Sequence, residues 1–277
     1  MKFKVSDMLL SALSLLSCVG CSVKESREVC PCQLFLDFSE VDTASVKSID
    51  IYVREDEEII LSDSVGKEEF SEDYLAYVPR TGLDVCAWSG RGDALTDALE
   101  IPYGEECPPV YIHSSLIDAF GESVREKVVM RKNYCGMTLN VRRDVKSSFR
   151  LAISGNVKGY ESDGSPAPGD FMVLLDSDGS DTFFVNLPRQ LDESLLMEVD
   201  TGDKVVKKFP LGRYILESGY DWNAPDLEDI TIDLDIAVTH LSVVIQGWEK
   251  EYKFDVVILL NKIVRISKIV CIFVPLF

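Results

Sequence analysis

Apolar and polar residues alternate with a period of two along most of this chain. "QLFLDF" puts Leu34, Leu36 and Phe38 on one face, and "SIDIYVR" sets Ile49, Ile51 and Val53 opposite Asp50, Tyr52 and Arg54. That period belongs to strands with one buried face. The acidic run Glu55 to Glu58 then parts this strand from "IIL", which predicts a hairpin. In "YVPRTGLDVCAWSG", Pro79 and Gly82 bracket a turn, and Leu83, Val85 and Ala87 alternate with Asp84, Cys86 and Trp88. "SSLIDAFGESV" instead spaces Leu116, Ala119, Phe120 and Val124 at helical intervals, so a short helix interrupted by Gly121 is expected there.

Strand patterns return in "KVVMRK", "GMTLNVRR" and "SFRLAIS", and are clearest at Met137, Leu139 and Val141 and at Phe149, Leu151 and Ile153. "GYESDGSPAPGD" (159–170) and "DSDGSD" (176–181) read as loops, the second as a hairpin turn. "DITIDLDIAV" places Ile230, Ile232, Leu234, Ile236 and Val238 on one face, and "HLSVVIQGW" follows with Leu241, Val243 and Ile245. Many short strands, little helix and no repeat of twenty to fifty residues predict an all-β chain of two β-sandwich-like domains, 30–145 and 146–258, meeting near 143–148. The tail 259–277 breaks the composition: it has no acidic residue and carries Lys262, Arg265 and Lys268. A spanning helix would bury those cations at roughly 2.5–3.5 kcal/mol each. A terminal strand running into an atypical extension and a membrane-associating tail both remain open.

Charge narrows the partners. The 277 residues carry 28 basic and 47 acidic side chains, a net charge of -19, which repels nucleic-acid phosphates and anionic membrane surfaces. With 46% hydrophobic residues the chain still has the material for a core.

The N-terminus sets the compartment. Lys2 and Lys4 precede the apolar "MLLSALSLLS", which is too short to span a bilayer and reads as a secretory signal over 1–17. "LLSC" and "CVGC" both resemble a lipobox, in which a bulky apolar residue three places upstream and a small one just before precede a cysteine that becomes the acylated terminus. Cys18 meets both demands; Cys21 has the better preceding glycine but a cysteine where leucine is usual. Cys18 is the expected lipidation site, Cys21 the alternative, and the charged stretch 18–29 a solvated tether.

The remaining chemistry is sparse. Cys18, Cys21, Cys30 and Cys32 have zinc-knuckle features, but processing acylates or removes one of the first pair, so a four-thiolate site does not survive. Cys30 and Cys32 are too close to bridge comfortably, which leaves Cys86, Cys107 and Cys135 as candidate disulfide partners in an exported protein, or all as buried free thiols. "DSDGSD" has Gly179 fourth and Leu187 at the twelfth position, unlike an EF-hand. His113 and His240 are accompanied by no nucleophile motif, and nothing calls for a cofactor or metal. Trp88, Trp222 and Trp248 suit either packing or a carbohydrate platform.

A lipobox, a charged tether, Cys30–Pro31 leading into an alternating strand, "VPRTGLDVCAWSG", and the block from "GYDW" to "GW" (Gly219 to Trp248) are together similar to the FimB/Mfa-type fimbrillin-associated anchor lipoproteins. The resemblance covers roughly 18–258, and the tail departs from it. It implies two transthyretin-like (Ig-like) β-sandwich domains without enzymatic activity, held by lipid on the outward side of the outer membrane. It further implies contact with the major fimbrial subunit (fimbrillin) by strand exchange. A surface lipoprotein that binds glycan or another nutrient for an uptake complex is the alternative.

Overall fold

The computed structural model describes residues 30–92, 97–142, 149–177, 179–200, 206–235, 240–245 and 248–253. Its first strands are β1 (Cys32–Asp37), β2 (Ser48–Glu55), β3 (Glu58–Gly66), β4 (Tyr74–Val78), β5 (Gly82–Ser89), β6 (Leu99–Glu100), β7 (Tyr111–Asp118), β8 (Ser123–Lys127) and β9 (Arg131–Lys132). Then come β10 (Tyr134–Arg142), β11 (Arg150–Tyr160), β12 (Pro166–Asp176), β13 (Thr182–Pro188), β14 (Leu196–Asp200), β15 (Val206–Phe209), helix α1 (Leu211–Glu217), β16 (Ile230–Asp235), β17 (His240–Ile245) and β18 (Trp248–Lys253). The chain is all-β, as its alternation predicts.

The strands form four sheets. Sheet A has the order β4-β1-β8 and sheet B β3-β2-β5-β7-β9; sheet C has β12-β11-β14-β15, with β6 pairing β11, and sheet D has β13-β10-β16-β17-β18. Leu34 and Leu36 of sheet A share one core with Ile49, Ile51, Val53, Leu83 and Val85 of sheet B. A second core joins Leu151, Ile153, Met197 and Val199 of sheet C to Met137, Leu139, Ile232 and Leu234 of sheet D. Each pair of sheets is thus a sandwich whose inward-facing residues are the alternating apolar positions of the sequence.

The two sandwiches share one topology. In each, the first strand lies between an antiparallel neighbour and a later strand of the unit that runs parallel to it: β1 between β4 and β8, β10 between β13 and β16. The registers superpose. Leu34 faces Ala76 on one side and Val124 on the other; Met137 faces Val185 and Ile230. Cys32, opposite Val78, and Cys135, opposite Leu187, therefore hold equivalent buried positions, each 0% exposed. The second sandwich differs by adding the hairpin β17–β18 beside β16.

Several local expectations change. The helix expected over 114–124 is instead β7, a turn and β8, because Leu116 is 85% exposed while Ala119 is buried, so the helically spaced apolar residues share no face. "DSDGSD" is not a hairpin turn: β12 belongs to sheet C and β13 to sheet D, so the loop, of which Asp178 lies outside the described residues, is a corner between sheets. α1 had no expectation; its buried Leu211, Tyr214 and Ile215 are too short a run to show a helical period. The strand Tyr134–Arg142, placed before the expected junction at 145/146, pairs only with strands of the second sandwich among the described residues, and the junction residues 143–148 themselves lie outside them.

The part of the outer face of sheet B around Trp88 is covered by the second sandwich. Cys86, Trp88 and Ile112 point away from the first core and belong to the second, where the Trp88 ring meets Tyr160 edge-on with centroids 6.4 Å apart. β6 reaches across to pair with the end of β11, and a Cβ added at Gly159 would lie 1.9 Å from the Leu99 carbonyl oxygen, so the close approach requires glycine there. Arg54, buried on the outer face of sheet B, pairs with Asp97 and donates to the Ser162 carbonyl at 3.1 Å.

Candidate functional site

Sheet edges are where main-chain N–H and C=O groups lack partners and where a strand from another chain can add. In sheet A the edges are β4 and β8. β8, "SVREK", is a blunted edge: three of its five residues are charged, and Glu126 takes an inward position beside Leu36. The equivalent residue of the second sandwich is Ile232, which lies opposite Val243 of β17. An inward carboxylate in place of Ile232 removes the apolar seat that a β17-like neighbour would need.

His113 on β7 meets that carboxylate, with Nε2 3.2 Å from Glu126 Oε1. Its Nδ1 accepts the Val129 N–H at 3.2 Å, so the neutral ring carries its proton on Nε2, the nitrogen that faces Glu126. The pair closes the β7/β8 side of the first sandwich. Burial holds the His113 pKa below the usual histidine range, Glu126 pulls the other way, and Arg131 adds to the lowering. The unfolded chain therefore binds a proton near pH 6.5 that the folded chain still refuses, and stability falls as pH drops below about 6.5, levelling off below the folded pKa. The expected loss is at most about 1.4 kcal/mol per pH unit, the limit for one proton. Denaturant midpoints measured at pH 7 and pH 5 should separate more in wild type than in His113→Gln; equal separations would remove His113 from the account.

β4, "YLAYV", has the opposite character. It carries no charge, and Leu75 and Tyr77 on its outer side are 45% and 64% exposed. Beside them on β1, Phe35 lies opposite Leu75, with the Arg125 guanidinium 5.4 Å from its ring centroid and held by Asp73 through bonds of 2.6 and 2.8 Å.

The five described cysteines do not bridge; Cys30, Cys32, Cys86, Cys107 and Cys135 are all free thiols. Cys30 is exposed, Cys32 lies in the first core, and Cys86, Cys107 and Cys135 in the second. Burial pushes the Cys86 and Cys135 thiols up to about 12 and raises those of Cys107 and Cys32, so the buried four are protonated packing groups at neutral pH. The lipidation candidates Cys18 and Cys21 and the tail 259–277 lie outside the described residues. So does the side chain of His240, whose backbone opens β17 in sheet D while His113 is in sheet B.

Trp88 and Trp222 are 0% and 3% exposed and offer no platform; the side chain of Trp248 lies outside the described residues. Trp222 stacks edge-on against Tyr220 at 4.7 Å, and Tyr220 donates to the Glu228 carbonyl at 2.7 Å. Arg189 pins this block, donating to the carbonyls of Trp222 and Ala224 and to Asn133 Oδ1. Tyr160 ties it to the seam, accepting the Arg189 N–H at 2.9 Å and donating to the Asn133 carbonyl. No sequence motif signals Arg189; only its satisfied buried carbonyls reveal it. Among the described residues no group of three histidines, cysteines or acids is arranged to hold a metal, and no helix is long and apolar enough to cross a membrane.

Sequence comparison finds no matching family model and no matching curated protein. Solved structures do match. The fimbrial anchor protein Mfa2 from Porphyromonas gingivalis superposes with a TM-score of 0.57 at 13% identity, covering 79% of this chain and 99% of that one. A structure of "putative polysaccharide binding proteins" from Bacteroides thetaiotaomicron gives 0.60 at 12% identity over 79% and 98%. A "putative adhesin" from Bacteroides ovatus gives 0.56 at 13% over 80% and 95%. At these identities the likeness is one of fold. The chain has the all-β fold of the Mfa-type fimbrial anchor and of the "putative adhesin" from Bacteroides ovatus.

Proposed function

We propose that this chain is a non-enzymatic lipoprotein of the outer membrane that anchors a fimbria at the cell surface and contacts the shaft subunit by strand exchange. The observation that carries the reading is a fold shared with the anchor protein Mfa2 over 99% of its length, in a chain whose first residues read as a signal segment followed by two overlapping lipobox-like stretches. The two sandwiches, each with its own core, are read as two domains. Sheet partners change near residue 133, which is a better division than 145/146 because β10 hydrogen-bonds with β13 and β16. The acidic surface suits a protein standing off an anionic membrane on its tether. The glycan-uptake alternative has lost two of its three tryptophans to the interior.

A pull-down of the full chain from outer membranes should recover a fimbrial shaft subunit. Recovery of an oligosaccharide or a transporter in its place would sink the anchor reading. Protease applied to intact cells should cleave the protein, and resistance there would contradict its outward orientation.

A further inference from the structure

We infer that the outward edge of β4 (Tyr74–Val78) is where an extended segment of the fimbrial shaft subunit adds to this protein, an inference that rests on the anchoring role proposed above. The first argument is main-chain geometry. Gln33 of β1 donates its N–H to the Glu122 carbonyl on the β8 side, so in the antiparallel pair β1–β4 its partner Tyr77 turns its own N–H and C=O away from β1. Leu75, two residues earlier and opposite Phe35, does the same. Among the described residues no strand pairs with that edge.

The second argument is the internal duplication. The equivalent edge of the second sandwich, β13, is covered by the chain's own backbone. The segment after β6 crosses from β12, where Gly104 N donates to the Met172 carbonyl at 2.8 Å, to β13, where Cys107 N donates to the Asn186 carbonyl at 3.0 Å and Glu106 Oε2 accepts the Asn186 N–H at 2.9 Å; Ile101, Cys107 and Val110 enter the second core. By the shared register Asn186 corresponds to Tyr77. One sandwich thus has its own chain seated on this edge at Asn186, and the other has none among the described residues. Across the open side the side chains offer a single hydrogen bond, Tyr74 Oη to Asp63 at 2.7 Å.

The third argument decides between the edges of sheet A. β8 is guarded by the inward Glu126 held on His113, whereas β4 has Ala76 and Val78 inward and the exposed Leu75 and Tyr77 outward. The segment that fits is extended and uncharged, with bulky apolar residues on the face that passes over Leu75, Tyr77 and Phe35.

The test uses full-length protein in cells that make the fimbria. Leu75→Lys with Tyr77→Lys should lower the shaft subunit recovered with the anchor by at least roughly tenfold, and Phe184→Lys, at the position of β13 equivalent to Leu75, should leave it unchanged. All three positions are exposed, so thermal midpoints equal to wild type are expected and check that folding is intact. Replacing Tyr77 with a photo-crosslinking residue should give a covalent adduct with the shaft subunit. If wild type recovers the subunit while neither the lysine pair nor the crosslinker at 77 affects or captures it, the edge assignment is overturned and anchoring stands. A crosslink to a second copy of this chain would also overturn it. Failure of wild type to recover any shaft subunit would remove the anchoring role itself.

Discussion

Trp88→Ala is expected to destabilise the protein by about 3–5 kcal/mol, the cost of removing a fully buried tryptophan whose site cannot collapse. At roughly 2–4 °C per kcal/mol for a chain of this size, the thermal midpoint should fall by on the order of 10 °C. The position explains the size of the effect. Trp88 sits on β5 between Asp50 and Ile112, on the face of sheet B turned away from the first core, and is 0% exposed because the second sandwich covers it. Its ring meets Tyr160 from the second sandwich and carries the Arg91 guanidinium 5.1 Å above it, which lies also 5.0 Å from the Tyr52 ring and donates to that hydroxyl at 2.7 Å. Truncation therefore empties a volume shared by both sandwiches and uncovers a buried cation's aromatic support. Leu116→Ala, on the same face of the same sheet but 85% exposed, should stay within about 0.5 kcal/mol of wild type. Calorimetry on the three proteins decides it: a Trp88→Ala midpoint no lower than that of Leu116→Ala would show that the seam contributes nothing to stability. Loss of the seam should also let the sandwiches unfold separately, so a single wild-type transition is expected to broaden or split in the variant.

The same tryptophan marks the limit of what could be read in advance. Alternation identifies which residues of "GLDVCAWS" point together, and Leu83, Val85 and Ala87 do face the first core. It says nothing of a sheet buried on both faces, because a second covering layer comes from residues far along the chain, here Tyr160 and the segment from Leu99 to Val110. Cys86 and Trp88 were on the polar phase of the pattern and are buried nonetheless. Misreadings at 114–124 and 176–181 have a similar origin: local spacing cannot distinguish a strand edge with an exposed leucine from a helix face, nor a corner between sheets from a hairpin.

The duplication was hidden by its length. "CQLFLD" and "CGMTLN" start equivalent strands with a buried cysteine, then Leu34 or Met137, then Leu36 or Leu139, yet only the paired registers make the match meaningful. Functional edges were the least legible of all. Whether an edge is open depends on what lies beside it, and the difference between β8 and β16 comes down to Glu126 in the place of Ile232, which becomes visible only when both parallel pairs are aligned. The division of labour is physical: side-chain periodicity reports burial of one face, whereas strand order, covering segments and edge availability are set by contacts between distant residues.

On the lipid attachment proposed above, replacing Cys18 and Cys21 together with alanine is expected to release the protein from the outer membrane. A lipid anchor holds in proportion to its buried hydrocarbon, at about 0.8 kcal/mol per methylene, and several chains on one terminus hold far more firmly than one. The rest of the protein offers little substitute, since the chain's net charge of -19 opposes contact with an anionic surface and the described part contains no helix able to span. Single variants divide the two lipoboxes: Cys18→Ala alone should abolish fatty-acid labelling and Cys21→Ala should not, with the reverse result assigning the site to Cys21. If each single variant stays labelled, either cysteine serves. Membrane fractionation of the double variant carries the larger question. Protein that remains in the outer membrane without lipid would have to be held elsewhere, and the apolar, basic tail with Lys262, Arg265 and Lys268 is the segment with the composition to do it. Ending the chain at residue 258 in the double variant separates the two: release only on truncation would make the tail the second anchor, and release by the cysteine changes alone leaves the lipid as the attachment that the proposed anchoring role requires.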